Sequence, residues 1–355
     1  MRKSFFLSVL ALAAVVSCQK SEIVDSKYGN DEIGFETYAG RDAMTKATVV
    51  SDGNIATAGL YGFYTATKEW GNGDNQMPAP TPNLWANAEI TKAGNWAPTD
   101  KKYWTNADDF YSFLAYSPFA TGTGETGNGL VATTTANPTV TYTVPTTLTS
   151  QVDLLYANDA THVNTHKPTT AGTPVTLKFN HALSRISVWA AETHPDYTYT
   201  ITAITLKGGF AKTNTFDLKS GKWETASATE TDAYSFVLNG GNVAISTNTH
   251  VSCTGDEYLM IIPAEVQNAE LNVTYTTTYG SGENALVSTP ITKMVPVNQT
   301  FKQGCAYALN LTFGPNEDDL IEFSVSVSDW VNESGEANKE TGVNAGNPEE
   351  GTLVE

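Results

Sequence analysis

The sequence predicts an all-β protein. Only 16% of its 355 residues are charged, which is a low share for surface helices stabilised by paired glutamate and lysine side chains. Short runs of β-branched and aromatic residues recur between glycine, proline and asparagine, as in strands joined by turns. No long segment shows the apolar spacing of an amphipathic helix. The runs that indicate strands are residues 60–64, 110–116, 175–179, 185–189, 199–204, 258–262 and 271–275.

Residues 1–17 have the pattern of a bacterial export signal. Basic residues precede an apolar stretch at residues 5–16, which is too short to span a bilayer core of about 30 Å as a helix. The stretch runs into VVSC at residues 15–18. This tetrapeptide resembles the lipobox, the site at whose cysteine bacterial lipoproteins are cleaved and acylated. An ordinary cleavage site beside an incidental cysteine is the alternative. We predict lipidation of Cys18 and a lipidated linker over residues 18–30.

The first strand of the folded body is predicted at residues 33–39. Ile33, Phe35 and Ala39 share one face at a spacing of two, as the core-facing side chains of a strand do. Arg41 follows shortly afterwards and is the first arginine after the signal. The segment therefore has the pattern of a strand that lies in an apolar groove.

The length indicates two domains, since a domain of about 100–200 residues can bury its own core. The segment 158–174 is the predicted boundary, because it is rich in threonine and contains histidine and proline but no apolar period. The expected domains are β-sandwiches at residues 31–165 and 166–332. Cys253 and Cys305 lie in the second one, where they either form a disulfide or remain buried thiols, because sequence spacing cannot give the distance between them.

The last strand is predicted at residues 321–330. Its apolar residues alternate with polar ones, as in a half-buried strand, and they are Ile321, Phe323, Val325 and Val327. This strand either closes the second domain or is donated to a neighbouring molecule. Residues 333–355 form an acidic tail that is rich in glycine and asparagine and has few apolar positions, so we expect it to be flexible.

Charge and motifs argue against several classes of protein. The 20 basic and 38 acidic residues give a net charge of −18, which repels the phosphates of nucleic acid. His162 and His166 have a spacing that suits two metal ligands on a helix, but they lie in a loop and lack the glutamate of zinc proteases. The acidic turn 317–319 lacks the spacing of a calcium-binding EF-hand. We predict a non-enzymatic protein without a cofactor or a metal.

Two groups of residues have a structural and a functional interpretation. His181 and Arg185 lie close together but without the context of a catalytic nucleophile, so we interpret them as structural. Four tryptophans within a short stretch are either a platform for stacking sugars or residues that fill the core and the loops. We favour the core for these four, which are Trp70, Trp85, Trp96 and Trp104.

Four segments together resemble the fimbrillin-like family of Bacteroidetes lipoproteins, which includes type V pilins and related surface adhesins. The resemblance covers nearly the whole mature chain, and the order of the segments is more specific than any one of them. In chain order after VVSC they are KYWTNADDFYSFLAYSP at 102–118, LKFNHALSRISV at 177–188, YLMIIPAE at 258–265 and IEFSVSVSDW at 321–330.

The resemblance implies two transthyretin-like β-sandwich domains in tandem and a structural or adhesive role in fimbriae. It implies export as a surface-exposed lipoprotein of the cell outer membrane and assembly by strand exchange after proteolysis of an N-terminal strand. Arg41 matches the family's maturation site by residue type and position, and Lys46 is the fallback for a trypsin-like protease. The alternative is that Arg41 is a surface residue in an ordinary linker.

The partners that the resemblance implies are other fimbrial subunits, outer-membrane lipid through the acyl chains on Cys18, and host or bacterial surface ligands. A monomeric lipoprotein that acts as an adhesin or binds glycans is the alternative. The polar composition of residues 333–355 favours an accessory, linker or tip role over a stalk role, because a stalk subunit should carry an alternating apolar extension.

Overall fold

The fold is all-β, as predicted. The computed structural model describes residues 31–39, 55–70, 81–92, 96–122, 128–133, 137–158, 165–194, 196–225, 233–314 and 321–330. Apart from short 3-10 turns, the regular elements in these ranges are all strands. No helix in the described residues is long and apolar enough to cross a membrane.

The described residues form 21 strands. In chain order they are β1 Phe35–Ala39, β2 Thr57–Ala66, β3 Trp85–Thr91, β4 Phe110–Ser117, β5 Leu130–Ala132, β6 Thr139–Thr143, β7 Leu155–Ala157, β8 Val175–His181, β9 Ser184–Glu192, β10 Tyr197–Lys207, β11 Thr213–Asp217, β12 Lys222–Trp223, β13 Ala233–Ser235, β14 Val243–Ile245, β15 Val251–Ser252, β16 Leu259–Ile261, β17 Ala264–Tyr279, β18 Leu286–Val287, β19 Ile291–Phe301, β20 Cys305–Phe313 and β21 Ile321–Asp329.

These strands agree with the apolar runs of the sequence. Six of the seven runs lie inside β2, β4, β8, β9, β10 and β17, and the run at 258–262 overlaps β16. The agreement follows from local chemistry, because β-branched and aromatic side chains fit the pleated surface of a sheet wherever it forms.

Two sheets contain strands β1 to β8 together with β11 and β12. Sheet A has the order β1-β8-β7-β4-β2-β3, and sheet B has the order β12-β11-β6-β5. In sheet A, β1 and β8 run parallel, whereas the other neighbours are antiparallel. The two sheets meet through aromatic side chains, such as Tyr156 and Phe216, whose ring centroids are 4.8 Å apart.

Two further sheets contain the remaining strands, which are β9, β10 and β13 to β21. Sheet C has the order β13-β10-β17-β18, with β14 paired to β10 and β19 paired to β17. Sheet D has the order β15-β9-β20-β21, with β16 paired to β9. Tyr199 of sheet C stacks on Phe313 of sheet D at 4.6 Å, so the two sheets share a core.

Strand pairing crosses the boundary that the sequence predicts at residues 158–174. β8 follows this segment, yet it pairs with β1 and β7 in sheet A. β11 pairs with β6 in sheet B. A strand is recruited by its apolar face and its backbone groups, whatever its position in the chain. β8 then continues into β9 of sheet D through Ala182 and Leu183.

Candidate functional site

The N-terminal strand lies at an edge of sheet A. β1 pairs with β8, with Phe35 opposite Val175 at its start, and the amide of Val175 donates to the carbonyl oxygen of Gly34 at 2.8 Å. The predicted strand at residues 33–39 is confirmed, with β1 covering Phe35–Ala39. Since β1 has one neighbouring strand among the described residues, it can leave the sheet without separating any other pair.

The apolar side chains at the start of this segment are buried. Ile33 is 1% exposed and Phe35 is 4% exposed. The ring of Phe35 meets Trp85 and Phe113 edge-on, at centroid distances of 5.8 and 5.1 Å. Such edge-to-face contacts are the favourable geometry of aromatic pairs. The side chain of Ala39, the third residue of the predicted face, lies outside the described part of the structure.

The residues beneath β1 form a hydrophobic cluster that is separate from the larger core of the molecule. We call this surface the β1 groove and define it by Trp85, Trp104, Phe113 and Leu177, all of which are buried. Ile33 and Phe35 belong to the same cluster. The N-terminal segment thus completes a core that the rest of sheet A leaves open.

Charged pairs hold the residues just before β1. The ammonium group of Lys167 lies 2.9 Å from a carboxylate oxygen of Asp31, and both side chains are largely shielded from solvent. The ammonium group of Lys101 lies 2.7 Å from a carboxylate oxygen of Glu32. The hydrogen bond to Glu32 and its negative charge raise the pKa of Lys101. This lysine therefore stays charged over the whole physiological pH range.

Backbone bonds add to these charged pairs. The amide of Ile33 donates to the carbonyl of Lys102 at 2.9 Å, and the amide of Trp104 donates to the carbonyl of Asp31 at 3.0 Å. Farther along β1, the hydroxyl of Thr176 donates to the carboxylate of Glu36. The start of β1 is thus bonded both to β8 and to the loop that carries Trp104.

The loop before β4 is itself held by Asp109. Its carboxylate accepts hydrogen bonds from the hydroxyls of Tyr64 and Thr105 and from Asn106. Burial alone would raise the pKa of Asp109, but the hydrogen bonds from Thr105, Tyr64 and Asn106 outweigh it and lower the pKa. The carboxylate is therefore ionised at neutral pH and fixes the loop that borders the β1 groove.

The residues predicted for processing lie outside the described residues. They are Cys18, Arg41 and Lys46, together with the tail at 333–355. β1 ends at Ala39, two residues before Arg41 in the sequence.

The end of β21 lies against the junction between β8 and β9. Trp330 is fully buried and stacks on the ring of His181, with a centroid distance of 3.8 Å and an interplanar angle of 12°. The guanidinium group of Arg185 lies 5.2 Å from the Trp330 ring. The Trp330 amide donates to the carbonyl of Gly304 at 2.7 Å. The last strand therefore packs within its own chain, which is one of the two alternatives left open by the sequence.

His181 is also paired with a buried carboxylate. Its Nδ1 lies 2.8 Å from Oδ2 of Asp153, which is fully buried. Removing one partner of such a buried pair strongly destabilises a protein, because the other partner stays buried without its compensating charge. His181 and Arg185 are used in packing, in agreement with their structural interpretation.

The four tryptophans of the N-terminal half are core residues, as predicted. Their exposed fractions are 8% or less, so they cannot form a surface platform for sugars. They are Trp70, Trp85, Trp96 and Trp104.

Cys253 and Cys305 are buried, and the structure contains no disulfide between them. Burial raises the pKa of the Cys253 thiol to about 12.

His162 lies outside the described residues, whereas His166 contacts the Asp109 carbonyl at 3.1 Å and the ring of Phe110. Within the described ranges, no three histidine, cysteine or acidic residues are grouped as metal ligands.

Sequence reasoning missed the lysines that hold the N-terminal segment. Lys101 and Lys167 are far from Glu32 and Asp31 in the chain, and only the folded structure brings them together. The adjacent acidic residues just before the apolar strand indicated that basic partners are needed, but the sequence did not identify those partners. Asp153 was missed for the same reason, because only the folded structure brings it to His181.

Comparisons with known proteins agree with this architecture. A family model described as fimbrillin-like matches residues 43–330. A fimbrial protein from Bacteroides vulgatus has a similar structure, with a TM-score of 0.70, 20% sequence identity, and coverage of 85% of this chain and 100% of that one. A candidate cell adhesion protein from Bacteroides uniformis is similar at a TM-score of 0.51 and 17% identity, with the same coverage. No match was found among curated proteins.

Proposed function

This chain belongs to the fimbrillin-like family, and we propose on that premise that it is a non-enzymatic structural or adhesive subunit of cell-surface fimbriae. The observation that carries the proposal is β1, an edge strand that fills an apolar groove and precedes an arginine. The fold similarity to a fimbrial protein and to a candidate cell adhesion protein supports the same class of function. The proposed partners are other fimbrial subunits and surface ligands.

The contacts of β1 support assembly by strand exchange. After cleavage at Arg41, the segment that contains β1 is held by its pairing with β8, by the β1 groove and by the charged pairs before it. Its departure exposes apolar surface at a cost of about 25 cal/mol per Å². It also leaves the backbone groups of β8 unpaired. Both costs are offset when a strand from a neighbouring subunit takes its place.

Changing Arg41 to alanine is expected to prevent this assembly. Outer-membrane preparations heated in SDS at graded temperatures and blotted should show a ladder of polymers for the wild type and mainly monomer for Arg41→Ala. The reason is that an uncut β1 stays covalently attached and keeps its groove filled.

Two further variants identify the protease. Arg41→Lys keeps the charge, so it should block an arginine-specific protease but not a trypsin-like one. Lys46→Ala added to Arg41→Ala removes the fallback site. Proteolytic priming at this site is wrong if the double variant still polymerises as the wild type does.

A monomeric adhesin is the second candidate, and it agrees with the polar composition of residues 333–355, which lack the alternating apolar extension of a stalk subunit. In the same heated samples such a protein would give a single monomer band for the wild type. The burial of the four tryptophans means that any glycan site must use other side chains.

We further propose that Cys18 is lipidated and anchors the protein at the outer membrane with its body exposed at the surface. Each buried acyl methylene contributes about 0.8 kcal/mol to such an anchor. Metabolic labelling with a fatty-acid analogue should mark the wild type and miss Cys18→Ser. Equal labelling of the two proteins would show that the lipid is not on this cysteine.

We also propose that the four sheets form two transthyretin-like sandwiches in tandem. The pairing of sheet A with sheet B and of sheet C with sheet D supports this organisation. The pairing of β8 with β7 supports a change from the first sandwich to the second at Ala182 and Leu183, where β8 gives way to β9. The pairing of β11 with β6 supports a return of β11 and β12 to the first sandwich.

A further inference from the structure

The outer edge of β21 is long and regular. β21 pairs with β20 over nine consecutive residues without a register shift, and it is the last strand of sheet D. Within the described residues, no other strand pairs with it. In an antiparallel ladder every second residue of an edge strand directs both its N–H and its C=O away from the sheet. β21 therefore presents a row of backbone groups that can bind another strand.

Other edges of the described sheets are shorter or blunted. β19 carries Pro296, and it carries Lys293 opposite the buried Val273, so this lysine lies on the core-facing side of the strand. Proline and inward-facing lysine at an edge are devices that prevent strand addition. β1 has five residues and β3 has a register shift. The sequence of β21, IEFSVSVSD, contains neither proline nor lysine.

The core-facing side of β21 is incompletely covered. Val327 lies opposite Tyr307, which is 2% exposed, yet Val327 itself is 42% exposed. Phe323 and Val325 are only partly buried. An additional strand beside β21 would cover these side chains. Burial of apolar surface and pairing of backbone groups therefore both favour the addition of a strand at this edge.

We propose that β21 pairs antiparallel with β21 of a second copy of this chain, across a two-fold axis at Val325. In this register Phe323 faces Val327 of the other copy, so apolar side chains meet on the core-facing side. Ser324 faces Ser326 on the opposite side. Two copies of sheet D would then form one continuous sheet.

The charges of β21 suit this self-pairing. Glu322 faces Ser328 of the other copy, so no carboxylate of the strand lies opposite another one; like charges at directly opposite positions are destabilising. The net charge of −18 makes the two copies repel each other at long range. Dimerisation should therefore strengthen with added salt, which screens the repulsion. A dimer held by surface salt bridges would weaken instead.

This pairing is independent of the proposed fimbrial assembly. It uses sheet D, whereas strand exchange at the β1 groove uses sheet A. A failure of the β21 dimer therefore leaves the Arg41 experiment unaffected, and the reverse also holds.

The test is the oligomeric state of the full chain carrying Cys18→Ser, measured by analytical ultracentrifugation between about 1 and 100 µM. We expect a dimer in reversible exchange with monomer. Val327→Lys places a lysine opposite Phe323 of the other copy and should raise the dissociation constant about tenfold or more. Met294→Lys is the matched control, because Met294 is 56% exposed on edge strand β19. It should leave the dissociation constant within about twofold.

A crosslink tests the register. Ser324→Cys and Ser326→Cys proteins, mixed in equal amounts and mildly oxidised, should form more disulfide-linked dimer than either variant alone, because the two positions face each other. Equal yields in all three samples would overturn the register. A monomeric wild type, or a dimer that Val327→Lys leaves intact, would overturn the proposal. Dimerisation seen only after deletion of residues 331–355 would also overturn it, since the chain's own tail would then be the occupant.

Discussion

Replacing Phe35 with alanine in the uncut chain is expected to destabilise β1 and its groove by about 3–5 kcal/mol, the usual cost of truncating a buried phenylalanine. The ring is 4% exposed and meets Trp85 and Phe113 edge-on. Hydrogen exchange is the measurement. The amides of residues 175–179 should exchange faster than in the wild type, because β8 loses the strand that pairs with it.

Met294→Ala is the control for the Phe35 variant. Met294 is 56% exposed and lies in sheet C, so its truncation should change the free energy of unfolding by no more than about 0.5 kcal/mol. If residues 175–179 keep their wild-type exchange rates in Phe35→Ala, the groove does not hold β1 in the way described above.

Trp330→Ala is expected to lower the free energy of unfolding by about 3–5 kcal/mol. The indole is fully buried and stacks on His181. Its loss leaves a cavity beside the buried pair of His181 and Asp153 and removes the packing that fixes the end of β21. Chemical denaturation should show a lower midpoint, with faster hydrogen exchange in β21.

Trp330→Phe tests how much of this stability an aromatic ring on His181 supplies. The indole nitrogen of Trp330 has no hydrogen-bond partner among the described residues, so phenylalanine loses packing volume but no polar contact. The destabilisation should therefore be clearly smaller than that of Trp330→Ala. Equal losses for the two variants would mean that the flat ring on His181 contributes little.

The sequence was most informative where a pattern is local. Alternation at Ile33 and Phe35 predicted β1, and alternation at 321–330 predicted β21, because successive side chains of any strand point to opposite faces. The burial of the tryptophans followed from their type and number. Each of these predictions depends on neighbouring residues alone.

The sequence was least informative about partners. β1 binds β8, although Phe35 and Val175 are far apart in the chain. The pairing of β11 with β6 likewise joins segments on the two sides of the expected boundary. Composition marks a segment such as 158–174 as a loop, but it does not say which sheet the next strand joins. That choice depends on which apolar face and which backbone edge remain open when the chain folds.

The parallel pairing of β1 with β8 has a mechanical consequence. Tension on the chain ahead of β1 pulls it from its first residue, whereas β8 is continuous with the rest of the molecule beyond its last residue, His181. The two strands are then drawn in opposite directions along their shared axis. Sliding of this kind loads all the hydrogen bonds between the two strands together, whereas peeling would load them one by one. A tethered molecule in flowing liquid would therefore hold this strand more firmly than the length of the ladder alone suggests.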